Sequence, residues 1–377
     1  MKTKIIIIGT GNRGIGCFAK GICGFETKGL PEFRERAELA ALVDTNLVRG
    51  TAAAKELGEF TPPVFRDIRE AQKAVRADWC IVTTPDHTHC EVVTNALEAG
   101  LNVMVDKPLA TSAWECDKVI DVMEKTGKEL CVGHNFRYQG HTIKAAEMVR
   151  DGCIGDVLTV EAAEILDYSH GGDYFHRWHS DFSKSAGLMN HKCCHHLDII
   201  NWIIDDDPVA VSAKGARRFY RERSDLDHGE RCSECGITDT CPHYYNIDKW
   251  DGIHRRIYKE AEHEDGYIRD RCVFSDRHTI NDHEVLNIEY SRGILANFTL
   301  VTFAPREFNY FYLTGTRGRI ELGSQSWDGK PYLRLIRPDA TSEEMTFSRE
   351  HGEHGHGGAD IKLIADILGM EGSLLMQ

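Results

Sequence analysis

Three groups of residues have the types and spacing to do chemistry. The first is a glycine turn, Gly9-x-Gly11-x-x-Gly14, set directly after Ile5, Ile6, Ile7 and Ile8. Gly9 permits a tight turn, Gly11 lets a pyrophosphate approach the backbone, and Gly14 lets helix and strand pack closely. A helix opening at Ile15–Ala19 would then aim free N–H groups at phosphate. The second group is His191 and His195, one turn apart in Met189–Ile204, which reads as a helix, with Asp198 three places on. An imidazole titrates near neutrality, which suits removal of a hydroxyl proton as hydride leaves the same carbon. By themselves the two rings read equally well as satisfied helix histidines. The third group is Cys232-x-x-Cys235, Cys241-Pro242-His243 and, further on, Cys272. Thiolates with a nearby imidazole suit tetrahedral zinc on Cys232, Cys235 and Cys241, with His243 or Cys272 as fourth ligand. An iron–sulfur cluster takes a similar set, and free thiols in a polar loop are the plain alternative.

The elements that must position these groups are readable in order. Four isoleucines in a row cannot alternate faces, so Lys4 onward is a strand buried on both sides. Leu39–Val43 is the next strand and ends at Asp44, whose carboxylate suits two ribose hydroxyls and repels a 2′-phosphate. The polar stretch Phe25–Arg36 separates it from the glycines. Phe65–Val75 reads as helix, Asp78–Thr84 as strand, His89–Ala99 as helix, Leu101–Val105 as strand, Trp114–Lys125 as helix and Leu130–Val132 as strand. Alternation of this kind specifies a doubly wound parallel sheet, with ligands beyond the carboxyl ends of the strands, where Gly9, Asp44, Thr84 and Lys107 fall. After a linking helix, His141–Val149, the pattern changes. Val157–Ile165, Val209–Phe219, His283–Tyr290, Ile294–Phe303, Phe308–Thr314 and Arg319–Leu322 carry strand signals, mostly without helices between them, so a second, mainly antiparallel sheet is expected. The expected domains are 1–135 and 136–377, the latter with a cysteine-rich insert at about 221–282.

Several short motifs recur in a fixed order: G-T-G-N-R-G, T-T-P-D-H-T-H at Thr83–His89, D-K-P at Asp106–Pro108, G-H-N-F-R-Y at Gly133–Tyr138, H-G-G-D-Y-F-H-R-W-H at His170–His179, S-A-G-L-M-N-H-K-C-C-H-H-L-D at Ser185–Asp198 and L-T-G-T-R-G-R-I-E-L at Leu313–Leu322. The ordered set resembles the Gfo/Idh/MocA oxidoreductases across nearly the whole chain. The resemblance implies a Rossmann domain followed by an α+β domain with a large open sheet, helices on one face and the other face used for cofactor, substrate or subunit contacts. It implies a dehydrogenase in which Lys107 holds the substrate hydroxyl and His195 moves its proton. Where many members carry an aspartate, this chain has His191, so a role that needs a carboxylate there is in doubt. The family's E-K-P is D-K-P here. The implied cofactor contacts are Thr10, Asn12 and Arg13 with the glycines, then Thr84, Pro85, His87, His89, Asp106, Lys107 and Asn135. Arg137, Tyr174 and Arg177 join Lys107, His191 and His195 as implied substrate contacts. A homodimer or homotetramer is expected.

Composition limits the function classes. Acidic residues number 59 against 45 basic, a net charge of −14, which argues against nucleic acid or an anionic membrane as partner. Hydrophobic content of 41% supports a full core. No apolar run reaches the ~18 residues of a membrane span, and the first residues are too short for a signal peptide. The 13 cysteines, several inside strand-like runs, read as reduced thiols in a cytoplasm. The leading function is NAD-dependent oxidation of a sugar, polyol or sugar derivative, with NADP as the alternative if Arg49 meets its phosphate. A glycosidase or lyase using transient ring oxidation, and a sensor without chemistry, are the other classes. His351, His354 and His356 read as part of a glycine-rich loop before a helix near Asp360.

Overall fold

The computed structural model describes residues 2–25, 29–249, 252–323, 330–347 and 358–370. The first sheet contains β1 (Thr3–Ile8), β2 (Ala37–Val43), β3 (Val64–Phe65), β4 (Trp79–Val82), β5 (Asn102–Asp106) and β6 (Leu130–Gly133) in the order β3-β2-β1-β4-β5-β6, all parallel. Ile5 and Ile7 enter one apolar core and Ile6 and Ile8 the other, which is why an unbroken isoleucine run suits this central strand.

The second sheet follows with β7 (Val157–Asp167), β8 (Pro208–Ala216), β9 (His283–Tyr290), β10 (Leu295–Ala304), β11 (Phe308–Gly315), β12 (Gly318–Gly323), β13 (Tyr332–Ile336) and β14 (Ser342–Thr346). Its order is β14-β13-β12-β11-β7-β10-β9-β8, antiparallel except for the β7–β10 pair. One face packs on helices in a single core, while Leu158, Val285, Leu295 and Phe308 are exposed. The two last strands were not foreseen, because Ser342–Thr346 is polar and largely exposed.

Four local differences from the sequence reading have physical causes. Phe65 pairs with Val43 as strand, and helix begins only at Ile68, because Asp67 caps the N–H groups of Arg69 and Glu70. The strand expected to reach Phe219 stops at Ala216, since the N–H groups of Arg218, Phe219 and Tyr220 all donate to Asp282 Oδ2. Met189–Ile204 is not one helix: Gly187–His191 ends at Lys192, and Cys194–Ile204 starts afresh. The break lets buried Lys192 reach Glu164 on β7 at 3.0 Å. Finally, Asp360 does more than start a helix. The helix Ala359–Ile367 packs into the core of the first sheet, and Asp360 accepts from Arg13 (2.9 Å) and Asn135 (2.8 Å). His351, His354 and His356 lie outside the described residues, as does Trp250, which with Tyr244, Tyr245 and Tyr258 makes up the insert aromatics that the sequence suggests over the substrate pocket. No helix among the described residues is long and apolar enough to cross a membrane.

Candidate active site

A cleft of about 1150 Å³ runs from the glycine turn to the helices below the second sheet. Its walls include Gly9, Thr10, Gly11, Asn12, Arg13, Asp44, Thr84, Pro85, His87, His89, Asp106, Lys107 and Asn135, then Tyr174, Arg177, His191 and His195. Gly14 and Arg137 do not line it. Gly14 acts by packing: a Cβ there would lie 2.1 Å from Gly9 O, and Gly9 itself holds φ +93°. The turn therefore cannot accept side chains at either position without moving.

The dinucleotide end is built from paired polar groups. Asp44, at the end of β2, is buried; its Oδ2 accepts from Thr10 N (2.9 Å) and Thr10 Oγ1 (2.6 Å), its Oδ1 from Asn46 N (2.9 Å). Arg49 folds back onto Asp44 at 3.4 Å and onto Asp265. Arg13 bridges Asp106 (3.1 Å) and Asp360, so the acid before Lys107 is part of the floor. His89 is buried with both ring nitrogens engaged, at 2.7 Å from Pro108 O and 2.9 Å from Thr84 O. It ties the loops after β4 and β5 together. The glycine turn and a strand-end carboxylate whose neighbour Arg49 is paired fit a dinucleotide.

At the other end, Lys107 Nζ donates to His191 O at 2.7 Å and lies 3.5 Å from His191 Nε2. His191 Nδ1 lies 2.7 Å from Asp86 Oδ2. Lysine has only donors, so Nε2 is the lone-pair side of the ring and Nδ1–H donates to Asp86. Burial, then the Lys107 cation, holds His191 well below the ordinary histidine range. Burial also pushes Asp86 up, against the pull of Lys107. Both effects oppose a resting imidazolium, and the neutral ring is the form able to take a proton. His179 packs against His191 with centroids 4.1 Å apart, and Trp178 stacks on His179 at 3.6 Å, closing this end from water.

His195 stands differently from expectation. Its ring stacks on Phe136 at 4.2 Å, and its Nδ1 is buried with no hydrogen-bond partner among the described residues. Asp198 does not steady it. That carboxylate takes Arg137 Nε at 2.7 Å and Nη2 at 2.6 Å, because a fixed guanidinium outcompetes a neutral ring for a carboxylate. Burial, then Lys107, holds His195 well below the ordinary range. Arg177 pairs with Asp173 at 2.7 Å and lies over the Tyr174 ring, whose hydroxyl is 3.2 Å from His170 Nε2. The sequence reading assigned no site role to Asp86, His179 or Asp360. Asp86 carried a signal as the acid of the strand-end T-T-P-D, and His179 as the last residue of the motif that begins at His170.

Within the insert, Cys232, Cys235, Cys241 and Cys272 line one small cavity with His228 and His243. Backbone N–H groups point at three of the sulfurs: Tyr245 to Cys232, Gly229 to Cys235 and Phe274 to Cys272. His243 instead turns Nδ1 towards Tyr168 O at 3.3 Å and sits among aromatic rings. No group of three or more His, Cys, Asp or Glu side chains among the described residues is arranged to hold a metal ion. All 13 cysteines are free thiols.

Comparison with known proteins gives concordant matches. A family profile described as an oxidoreductase family with an NAD-binding Rossmann fold, GFO_IDH_MocA, matches residues 3–134. The GFO/IDH/MocA C-terminal domain matches residues 142–321. The chain is similar to the putative oxidoreductase YteT of Bacillus subtilis (strain 168), 28% identical over 391 residues, covering 97% of this chain and 88% of that protein. It is similar to an inositol 2-dehydrogenase/D-chiro-inositol 3-dehydrogenase of Lactiplantibacillus plantarum, 26% identical over 344 residues, with 86% and 90% covered. Among solved structures, a levoglucosan dehydrogenase in complex with NADH shares the fold with a TM-score of 0.71 at 16% identity, over 99% of this chain and 92% of that one.

Proposed function

The chain belongs to the GFO/IDH/MocA oxidoreductase family, and from that premise we propose that it is an NAD-dependent dehydrogenase of a sugar or polyol, acting on a CH–OH carbon. One observation carries the reading: Lys107, His191 and Asp86 form a hydrogen-bonded line at the edge of the dinucleotide cleft. Lys107 receives the substrate oxygen and stabilises the negative charge that develops on it. His191 Nε2 takes the hydroxyl proton as hydride leaves the carbon, and Asp86 balances the imidazolium through Nδ1–H. When bound, the dinucleotide accepts the hydride. His195 is the weaker base, because protonating its ring would leave Nδ1–H buried without an acceptor. It walls the substrate end together with Tyr174 and Arg177.

Asp44 supports NAD over NADP, as does Arg49, whose charge is paired with Asp44 and Asp265. Structural zinc on Cys232, Cys235 and Cys241 stays a proposal: the thiols share one cavity with both Cys272 and His243 on its wall, although no three of these side chains stand in a metal-holding arrangement. Elemental analysis with thiol titration before and after chelation tests it. Self-association through the exposed face of the second sheet, as homodimer or homotetramer, is measured by light scattering.

The test of the main reading follows nicotinamide absorbance with added NAD and a panel of free sugars, polyols and aryl glycosides. Steady NADH formation, lost in Lys107→Ala and His191→Ala, supports the dehydrogenase. Aglycone release without NADH would replace it with a redox-neutral reaction: oxidation of a ring hydroxyl, elimination of the β-substituent across the acidified C–H, and return of the same hydride. The Tyr258 hydroxyl, which the insert places 2.8 Å from Asn12 N in the glycine turn, favours that second reading, because a tie there opposes cofactor exchange.

A further inference from the structure

The insert at about 221–282 is not a peripheral loop. Its segment Arg255–Lys259 crosses to the first domain, and there Tyr258 hydroxyl accepts the backbone N–H of Asn12 at 2.8 Å. That N–H belongs to the glycine turn, where a phosphate oxygen would accept it. The same hydroxyl lies over Gly11: a Cβ there would come within 3.3 Å of it.

Around this point the insert is fastened at several places. Asn46 Nδ2 donates to Ala261 O at 2.9 Å, and Arg49 Nε to Ile257 O at 3.1 Å. Arg66 pairs with Glu264 at 2.8 Å and Arg256 with Glu56 at 2.5 Å. Ile253 and Ile257 are buried in the core that holds Ile5, Ile7 and Leu57. At its other end the insert is tied to the substrate side, where Arg269 meets Asp173 and His176 Nε2 meets His243 O at 2.9 Å. It thus spans the cleft from one domain to the other.

We propose that this insert is a clasp that binds the pyrophosphate of the dinucleotide through Tyr258 and keeps the cofactor on the protein between turnovers. The proposal rests on the cleft being a dinucleotide site. Tyr258 hydroxyl holds the place of a phosphate oxygen on Asn12 N–H. With a dinucleotide present, the phosphate takes that N–H and the phenol O–H turns from acceptor to donor, completing the cradle from the open side. The ion pairs that fasten the clasp are partly exposed, so each is weak alone. Release of cofactor requires several to part together, which makes exchange slow without making it impossible.

The experiment is a chase of bound NADH, followed by its fluorescence, on the full chain. Tyr258→Phe keeps the ring and removes the hydroxyl; its affinity for NADH is expected to fall about tenfold, the scale of one hydrogen bond to a charged group. The double variant Glu56→Ala/Glu264→Ala leaves Lys107, His191, Asp86 and Tyr258 in place, although Glu56 stands on the cleft wall; its NADH release is expected to be about tenfold faster, as two weak ties are removed, with an unchanged single-turnover hydride step. Release at the wild-type rate from the double variant, or wild-type affinity in Tyr258→Phe, overturns the clasp. Failure of the wild type to bind any NADH is a separate result, and overturns the dinucleotide reading beneath it.

Discussion

Replacing Asp86 with asparagine is the sharpest perturbation of the site, because it removes a charge and almost no volume. In the native chain the carboxylate lies 2.7 Å from His191 Nδ1, and both groups are buried. Asparagine can still accept from Nδ1–H through its carbonyl, so the ring keeps its place. What is lost is the counter-charge to the imidazolium formed when Nε2 takes the substrate proton. Hydrogen bonds to charged partners contribute about 1.5–3 kcal/mol, and each ~1.4 kcal/mol is a factor of ten, so kcat is expected to fall roughly 10- to 150-fold. The pH profile must move as well. The base works only unprotonated, and without the carboxylate its pKa drops, so the acidic limb of kcat moves to lower pH. The assay is NADH formation on whichever polyol or sugar turns over, with NAD binding and the thermal midpoint as controls for folding. Adding His191→Ala to Asp86→Asn should cost no more than His191→Ala alone, since the pair acts as one device. A variant with kcat within about twofold of wild type and an unmoved acidic limb, against the range above, would refute the reasoning.

Other expectations are simpler. Lys107→Ala removes the cation that meets the substrate oxygen and should lower kcat by about 10²- to 10³-fold, with NAD binding retained by fluorescence titration. Asp44→Ala should weaken NAD and narrow the gap to NADP, measured as the ratio of their dissociation constants, provided the midpoint shows that the Thr10 and Asn46 contacts survive. Burial alone holds His141 down at about 4, and burial followed by Arg217 holds His278 at about 4. Unfolded histidine titrates near 6.5, so the unfolded chain binds more protons between the two values, and stability falls as pH drops from about 6.5 towards 4, by up to ~3 kcal/mol for each ring. Thermal midpoints across that window check it, and His141→Gln should flatten the slope.

Much of the frame was legible in the sequence because it depends on local pattern. Four isoleucines fit only a strand covered on both faces, and the glycines after them fit only a turn against a neighbouring strand. Lys107 sits at a strand end, where such sheets gather ligands, but its role came from the resemblance of Asp106-Lys107-Pro108 to the family's motif. The proton-moving pair was not legible in the same way. His191 and Asp86 come from opposite parts of the chain, and no spacing links them. The spacing of His195 and Asp198 suggested a pair that the fold does not make, because Arg137 claims the carboxylate. The helix around them looked continuous, yet the buried tie of Lys192 to Glu164 breaks it, and that tie depends on a strand outside the window. Tyr258 was legible only as one aromatic residue of an insert expected over the substrate pocket; its contact with Asn12 in the glycine turn was not, because polar inserts carry little periodicity and only their docking shows what they touch.

The helix Ala359–Ile367 has a consequence for how the molecule is made. It is delivered by the ribosome after the whole second domain, yet its Ile361, Leu363 and Ile364 fill the core under β1, and its Asp360 anchors Arg13 beside the glycine turn. Domains commonly fold as they emerge, the earliest first. Here the first domain must wait, with part of its apolar floor open, until more than two hundred later residues have been synthesised. The nucleotide site is therefore finished only after the second domain has been made, although the glycine turn and Asp44 precede that domain in the chain.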